Sequence, residues 1–144
     1  MRIETHTLAL RTRGFTDIQD LTPAVAALLR ERRLREGSAL LFAGGSTAGL
    51  TTIEFEEGAV ADLRAAIERL APQRETYAHD ARWGDGNGFA HVRAALMGPA
   101  LEVPVCGGEL LLGTWQQIVL CDFDNRSRRR SVVCQLRGLF DAEP

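Results

Sequence analysis

From Arg2 to Thr12, "RIETHTLALRT", apolar and polar residues trade places at nearly every second position, and with its β-branched content this predicts a first strand. "RGFTD" turns the chain. Thr22 followed by Pro23 reads as an N-cap with proline at the first helical position, and "PAVAALLRERRLREG" continues in strong helix formers to a stop at Gly37. "SALLFA" (Ser38 to Ala43) and "AGLTTIEF" (Ala48 to Phe55) predict strands on either side of "GGST". A second helix opens at Gly58, sets Val60, Leu63, Ile67 and Leu70 at helical spacing, and ends at Pro72. After a polar, irregular stretch from Gln73 to Asn87, "FAHVRAALMG" predicts a short third helix stopped by Gly98.

Beyond Pro99 the period returns to two. "ALEVPV", "ELLLGTWQQIVLCDF" and "RRSVVCQLRG" are separated by "CGG" and "DNRSR", the pattern of consecutive antiparallel strands. The run from Leu110 to Phe123 sets Trp115, Val119 and Phe123 on one face and Ile118 and Leu120 on the other, so both faces should be buried. An α+β fold follows, a largely antiparallel β-sheet packed with two to three helices. A doubly wound βαβ fold is the weaker alternative, because no helix separates the C-terminal strands. The 144 residues hold no linker or repeat and read as one domain, 1–144.

Composition narrows the function classes. A net charge of -2 argues against a protein that holds nucleic acid through its phosphates. No apolar run reaches the ~20 residues of a membrane span, and "MRIETHTLAL" lacks the apolar core of a signal peptide, so a cytoplasmic location is expected. Cys106, Cys121 and Cys134 form no CxxC and read as buried, reduced thiols. Cys121 and Cys134 lie nearly symmetrically about a hairpin turn and could face each other, but are expected unbonded in a reducing compartment.

Three stretches carry candidate chemistry. In "GDGNGFAHVRAALMG", the loop Asp85, Gly86, Asn87, Gly88 offers amides ahead of a helix that could cradle a phosphate or carboxylate, with His91 one turn in; a plain capped turn is the competing reading. "GGSTAG", with Gly45, Ser46 and Thr47, is a second possible anion site or a tight β-turn. It is no P-loop, lacking the lysine and the following helix, and Ser46 has no evident base to make it a nucleophile. The imidazoles of His79 and His91 could shuttle protons or ligate zinc or a similar divalent ion, with Glu54, Asp80 and Asp85 as supporting carboxylates. Against that, His79 fits a loop histidine and His91 a satisfied helix histidine, and no four-ligand shell can be named. "RSRRR" (Arg126 to Arg130) fits a solvated turn better than a phosphate or RNA site, and Trp115 fits core packing better than a pocket wall.

Several of these stretches belong together. "STAGLTTIE", "YAH", "GDGN" followed by "AHVRAALMGP", "LLLGTWQQIVLCDFD" and the trailing arginines, in this order from Leu40 to Val133, resemble the YjbQ-like family, also called the secondary thiamine-phosphate synthase family. The resemblance implies an α+β homotrimer with a weak transferase activity joining a pyrimidine diphosphate to a thiazole phosphate. It assigns Glu54, His79 and His91 to the family's acid–base positions. It also marks this chain as a variant branch: Gly45 stands where the family has its first histidine, Phe89 replaces the first of a histidine pair, and Ile53 replaces a polar residue. The expectation is an enzyme on small phosphorylated metabolites with weak activity. The alternative is a non-catalytic trimeric ligand- or metal-binding protein. In either case Glu54, His79, Asp85, Asn87 and His91 should share one pocket beside "GGST".

Overall fold

The computed structural model describes residues 1–142. Eight strands and four helices follow in the order β1 (Arg2–Thr12), β2 (Asp17–Asp20), α1 (Thr22–Arg32), β3 (Leu34–Ala43), β4 (Ala48–Ile53), α2 (Glu57–Leu70), α3 (Ala78–Trp83), α4 (Gly88–Met97), β5 (Ala100–Cys106), β6 (Glu109–Leu110), β7 (Gln117–Asp122) and β8 (Arg128–Phe140). The strands form two sheets, β1-β8-β3-β5-β6 and β2-β7-β4, and every pairing is antiparallel. The fold is α+β, and the doubly wound alternative is excluded.

Strand β7 explains the layering. Ile118 and Leu120 point into a core shared with Leu41, Val103, Val132, Leu136 and the buried side of α1, between the two sheets. Val119, Cys121 and Phe123 point the other way, into a second core closed by Val60 and Ile67 of α2 and by Phe89, Ala90 and Ala94 of α4. The two apolar faces of β7 are thus covered within one chain, by a sheet on one side and helices on the other. Cys134 lies in the first core and Cys121 in the second, which rules out the pairing considered for them. Burial pushes the Cys121 thiol up to about 12 and Cys134 up to about 11. Cys106 is exposed, not buried as expected.

Four expectations need correction. The first helix ends at Arg32, not Gly37: Arg33 takes a left-handed conformation (φ 60°) and its N–H bonds back to the Arg30 and Leu29 carbonyls. Buried Leu34 then starts β3 opposite Phe140. The expected long strand from Leu110 is broken, because the Gln116 N–H bonds to the Gly113 carbonyl and folds residues 111–116 into a loop. Trp115, on that loop, is 72% exposed, which removes it from the core. Finally, "AHDARW" within the stretch expected to be irregular is helical, as α3. Gly37 and Gly138 face each other across β3 and β8, both at φ 148°, and a Cβ on either would stand within 2.0 Å of a carbonyl oxygen of the opposite strand. No helix is long and apolar enough to cross a membrane among the described residues.

Candidate functional site

The turn from β7 into β8, "DFDNRSRRR", does not simply dangle in solvent. Alternation places Arg128 and Arg130 on the inner side of the hairpin and leaves Arg129 exposed. Asp122, fully buried at the end of β7, accepts a bidentate pair from Arg130: Nε to Oδ2 at 2.6 Å and Nη2 to Oδ1 at 2.8 Å. Arg130 Nη2 also donates to Thr47 Oγ1 at 2.7 Å, and Thr47 in turn donates to Asp124 Oδ2 at 3.1 Å. Asp124 is 1% exposed and further accepts from Arg128 Nε (2.8 Å), Asn87 Nδ2 (3.3 Å) and the Asn125 N–H (2.8 Å). Burial by itself would raise the Asp124 carboxyl, but these hydrogen bonds outweigh it and hold its pKa below the ordinary value. The Asp122 hydrogen bond raises Arg130 further against the opposing effect of burial. Two of the arginines expected in a solvated turn, Arg128 and Arg130, are therefore partners of two buried carboxylates, while Arg126 and Arg129 stay exposed.

The loop Asp85, Gly86, Asn87, Gly88 joins this network through side chains and carbonyls more than through free amides. Gly86 supplies a left-handed turn (φ 68°), and the Asp85 carbonyl accepts from Asn125 Nδ2 at 2.8 Å. The Gly88 N–H at the start of α4 is taken by Asp80 Oδ1 at 2.8 Å. Gly88 is required by crowding, since a Cβ there would stand 2.5 Å from Tyr77 Cβ. Asn87 spends one end of its amide on Asp124 and leaves Oδ1 buried without a partner.

Helices α3 and α4 bring the two candidate histidines together. The His79 and His91 ring centroids are 4.3 Å apart at 40°, and His79 Nδ1 is buried with no hydrogen bond, 3.7 Å from Asp80 Oδ1. His91 lines a hollow of about 220 Å³ with Gly45, Ser46, Ala48 and Ala94. A second hollow of about 260 Å³ shares Gly45 and Ala48 and is bounded by Gly44, Arg130 and Ser131. Three larger hollows, of 390, 540 and 450 Å³, lie along β4 and β5, beside α1, and along β1 and the start of β8, and contain no histidine or cysteine.

Glu54 stands apart. Ala48 borders the His91 hollow, and Glu54 follows six residues later, beyond the far end of β4, exposed and roughly 20 Å along the strand. Of the residues expected in one pocket, His91 borders this hollow with Gly45 and Ser46, His79 meets the His91 ring, Asn87 and Thr47 meet at Asp124, and Glu54 and the solvent-facing Asp85 stand outside these contacts. Among the described residues no three His, Cys, Asp or Glu side chains are grouped so as to hold a metal ion. Two imidazoles alone do not fit a zinc shell. Sequence reasoning missed Asp122, Asp124 and Arg130; the available signal was the matching two-residue spacing of aspartates and arginines about one turn.

The family described as UPF0047 protein YjbQ-like matches this chain over residues 6–139. A UPF0047 protein of Archaeoglobus fulgidus is 36% identical over 126 residues, 88% of this chain and 96% of its own length. One from Mycobacterium tuberculosis is 41% identical over 115 residues, covering 80% and 87%. Among solved structures, an uncharacterised conserved protein of the YjbQ/UPF0047 family from Clostridium acetobutylicum superimposes with a TM-score of 0.82 at 29% identity, over 91% of this chain and 99% of its own. A hypothetical protein from Aeropyrum pernix reaches 0.84 at 27% identity, over 97% and 99%.

Proposed function

The chain belongs to the YjbQ-like UPF0047 family, and from that premise we propose that it is an enzyme acting on a small phosphorylated metabolite, a transferase of the thiamine-phosphate synthase kind with weak turnover. The observation that carries this reading is the histidine pair: two imidazoles 4.3 Å apart, one with a buried, unpartnered Nδ1, opening through His91 onto a hollow at the Gly45 turn. An imidazole so placed can donate a proton to a departing phosphate oxygen or take one from an attacking group. His91 is the acid–base group, and His79 packs against its ring. No step needs a metal.

Weak turnover follows from Gly45, which leaves the family's first imidazole unsupplied. A side chain is sterically and conformationally admissible there, since Gly45 has no positive φ, although its Cβ would press to 3.2 Å from Arg130 Nη1. The assay is condensation of a pyrimidine diphosphate with a thiazole phosphate by the purified chain. Slow product formation is expected, reduced on the order of a hundredfold by His91→Ala. Undiminished turnover by His91→Ala would overturn the reading.

A second reading, a ligand-binding protein without turnover, is favoured by the same missing imidazole. It predicts saturable ligand binding with no product from the parent chain or from His91→Ala. In both readings the chain assembles as a homotrimer. This is supported by the outer face of the five-stranded sheet, where Ile3, Phe42 and Leu139 are exposed.

A further inference from the structure

Arg130 is half restrained and half free. Asp122 fixes Nε and Nη2, and Nη2 also reaches Thr47, but Nη1 has no acceptor among the described residues and points toward the Gly45 turn. A guanidinium locked along one edge by a buried carboxylate, with the adjoining nitrogen open to a hollow, is prearranged to take an oxyanion at little cost in side-chain entropy.

The surrounding backbone suits the same guest. Strand β3 leaves β8 at Ala43, opposite Val132, while β8 runs back to Arg128 with only β1 beside it. This leaves the β3-side edge of β8 unpaired from Ser131 to Arg128, and that edge floors the 260 Å³ hollow. The Gly44–Gly45 turn forms the wall, with no side chain to fill the space. Arg128 and Arg130 balance Asp122 and Asp124, and the exposed Arg129, which borders the same hollow, adds a positive charge beside it.

We infer that Arg130, the Gly44–Gly45 turn and the bared edge of β8 form an anion-binding subsite that takes the phosphate group of a small phosphoester, with the rest of the ligand extending past Gly45 to His91. The direction of the ligand rests on the function proposed above; the subsite itself does not. Gly45 is then the position that connects the two hollows, and its missing side chain leaves Nη1 uncovered.

The test is calorimetric titration of the purified chain with inorganic phosphate and with glycerol 2-phosphate, against chloride at equal ionic strength. Arg130→Gln strands the buried Asp122 and can cost the fold, so the deciding variant is Gly45→Val, which leaves the Arg130–Asp122 pair intact and covers Nη1. Phosphate should bind saturably, at least tenfold more weakly in Gly45→Val, whose thermal transition should stay cooperative. His91→Ala should keep phosphate binding and lose only the added affinity of the phosphoester. Phosphate binding with unimpaired phosphoester binding and turnover in His91→Ala would sink the catalytic reading and leave the subsite standing. The subsite is overturned if phosphate binds no better than chloride, or if Gly45→Val binds it as well as the parent chain.

Discussion

Asp124 is the residue on which most of the site's order depends. Its carboxylate accepts from the Asn125 N–H, Asn87, Thr47 and Arg128 while almost fully out of water, so an amide in its place would keep the shape but strand at least one donor and leave Arg128 without its counter-charge. Asp124→Asn should cost about 2–3 kcal/mol at pH 7 in denaturant unfolding. The pH dependence has a definite sign. Because the folded pKa lies below the unfolded one, the stabilisation is complete above the unfolded value of about 4 and is lost as pH falls through the folded value. The variant should therefore show a flatter acid limb than the parent, and an equally steep limb would refute the role given to Asp124. The histidine pair was legible in the sequence, through the resemblance and through residue chemistry, as a candidate pair. The carboxylate network was not, because its donors arrive from residues 12, 47 and 87, and no local pattern shows three distant segments converging on one turn.

At the scale of elements, the largest misreading is the end of α1. A helix stop is recognised by glycine, whose missing Cβ makes the left-handed cap inexpensive, and here arginine holds that position. The sequence pattern therefore ran on to the next glycine, Gly37, which serves a different purpose in the β3–β8 crossing. Arg33→Gly should relieve the cap and stabilise the protein by about 0.5–1 kcal/mol, read as a raised denaturant midpoint with unchanged slope. A lowered midpoint would mean that the exposed Arg33 side chain has a partner that outweighs the strain. The loop at residues 111–116 was misread for a related reason: apolar Leu111, Leu112 and Trp115 extend the strand pattern, while the turn is made by a Gly113–Gln116 hydrogen bond that hydropathy does not register.

For the whole molecule, the fold class was readable because the C-terminal strands follow one another without helices, but the split into two sheets was not. Which strand joins which depends on partners far apart in sequence, such as Arg2 and Gly138. The split also changes the case for assembly. Both faces of β7 are covered within the chain, so any trimer must use other surfaces, of which the outer face of the larger sheet is the best candidate. Light scattering on a size-exclusion column should give three times the 15.8 kDa of one chain, and a concentration-independent mass of one or two chains would remove the trimer. The position of β8 has a consequence for how the protein comes into being. Among the eight described strands it follows all the others in the chain, yet it lies between β1, the first of them, and β3. At roughly 5–20 residues per second, β1 leaves the ribosome on the order of ten seconds before the strand that will cover it. Throughout that interval the nascent chain carries an unpaired strand, open to any neighbouring chain, and the larger sheet cannot close until β8 itself has been made.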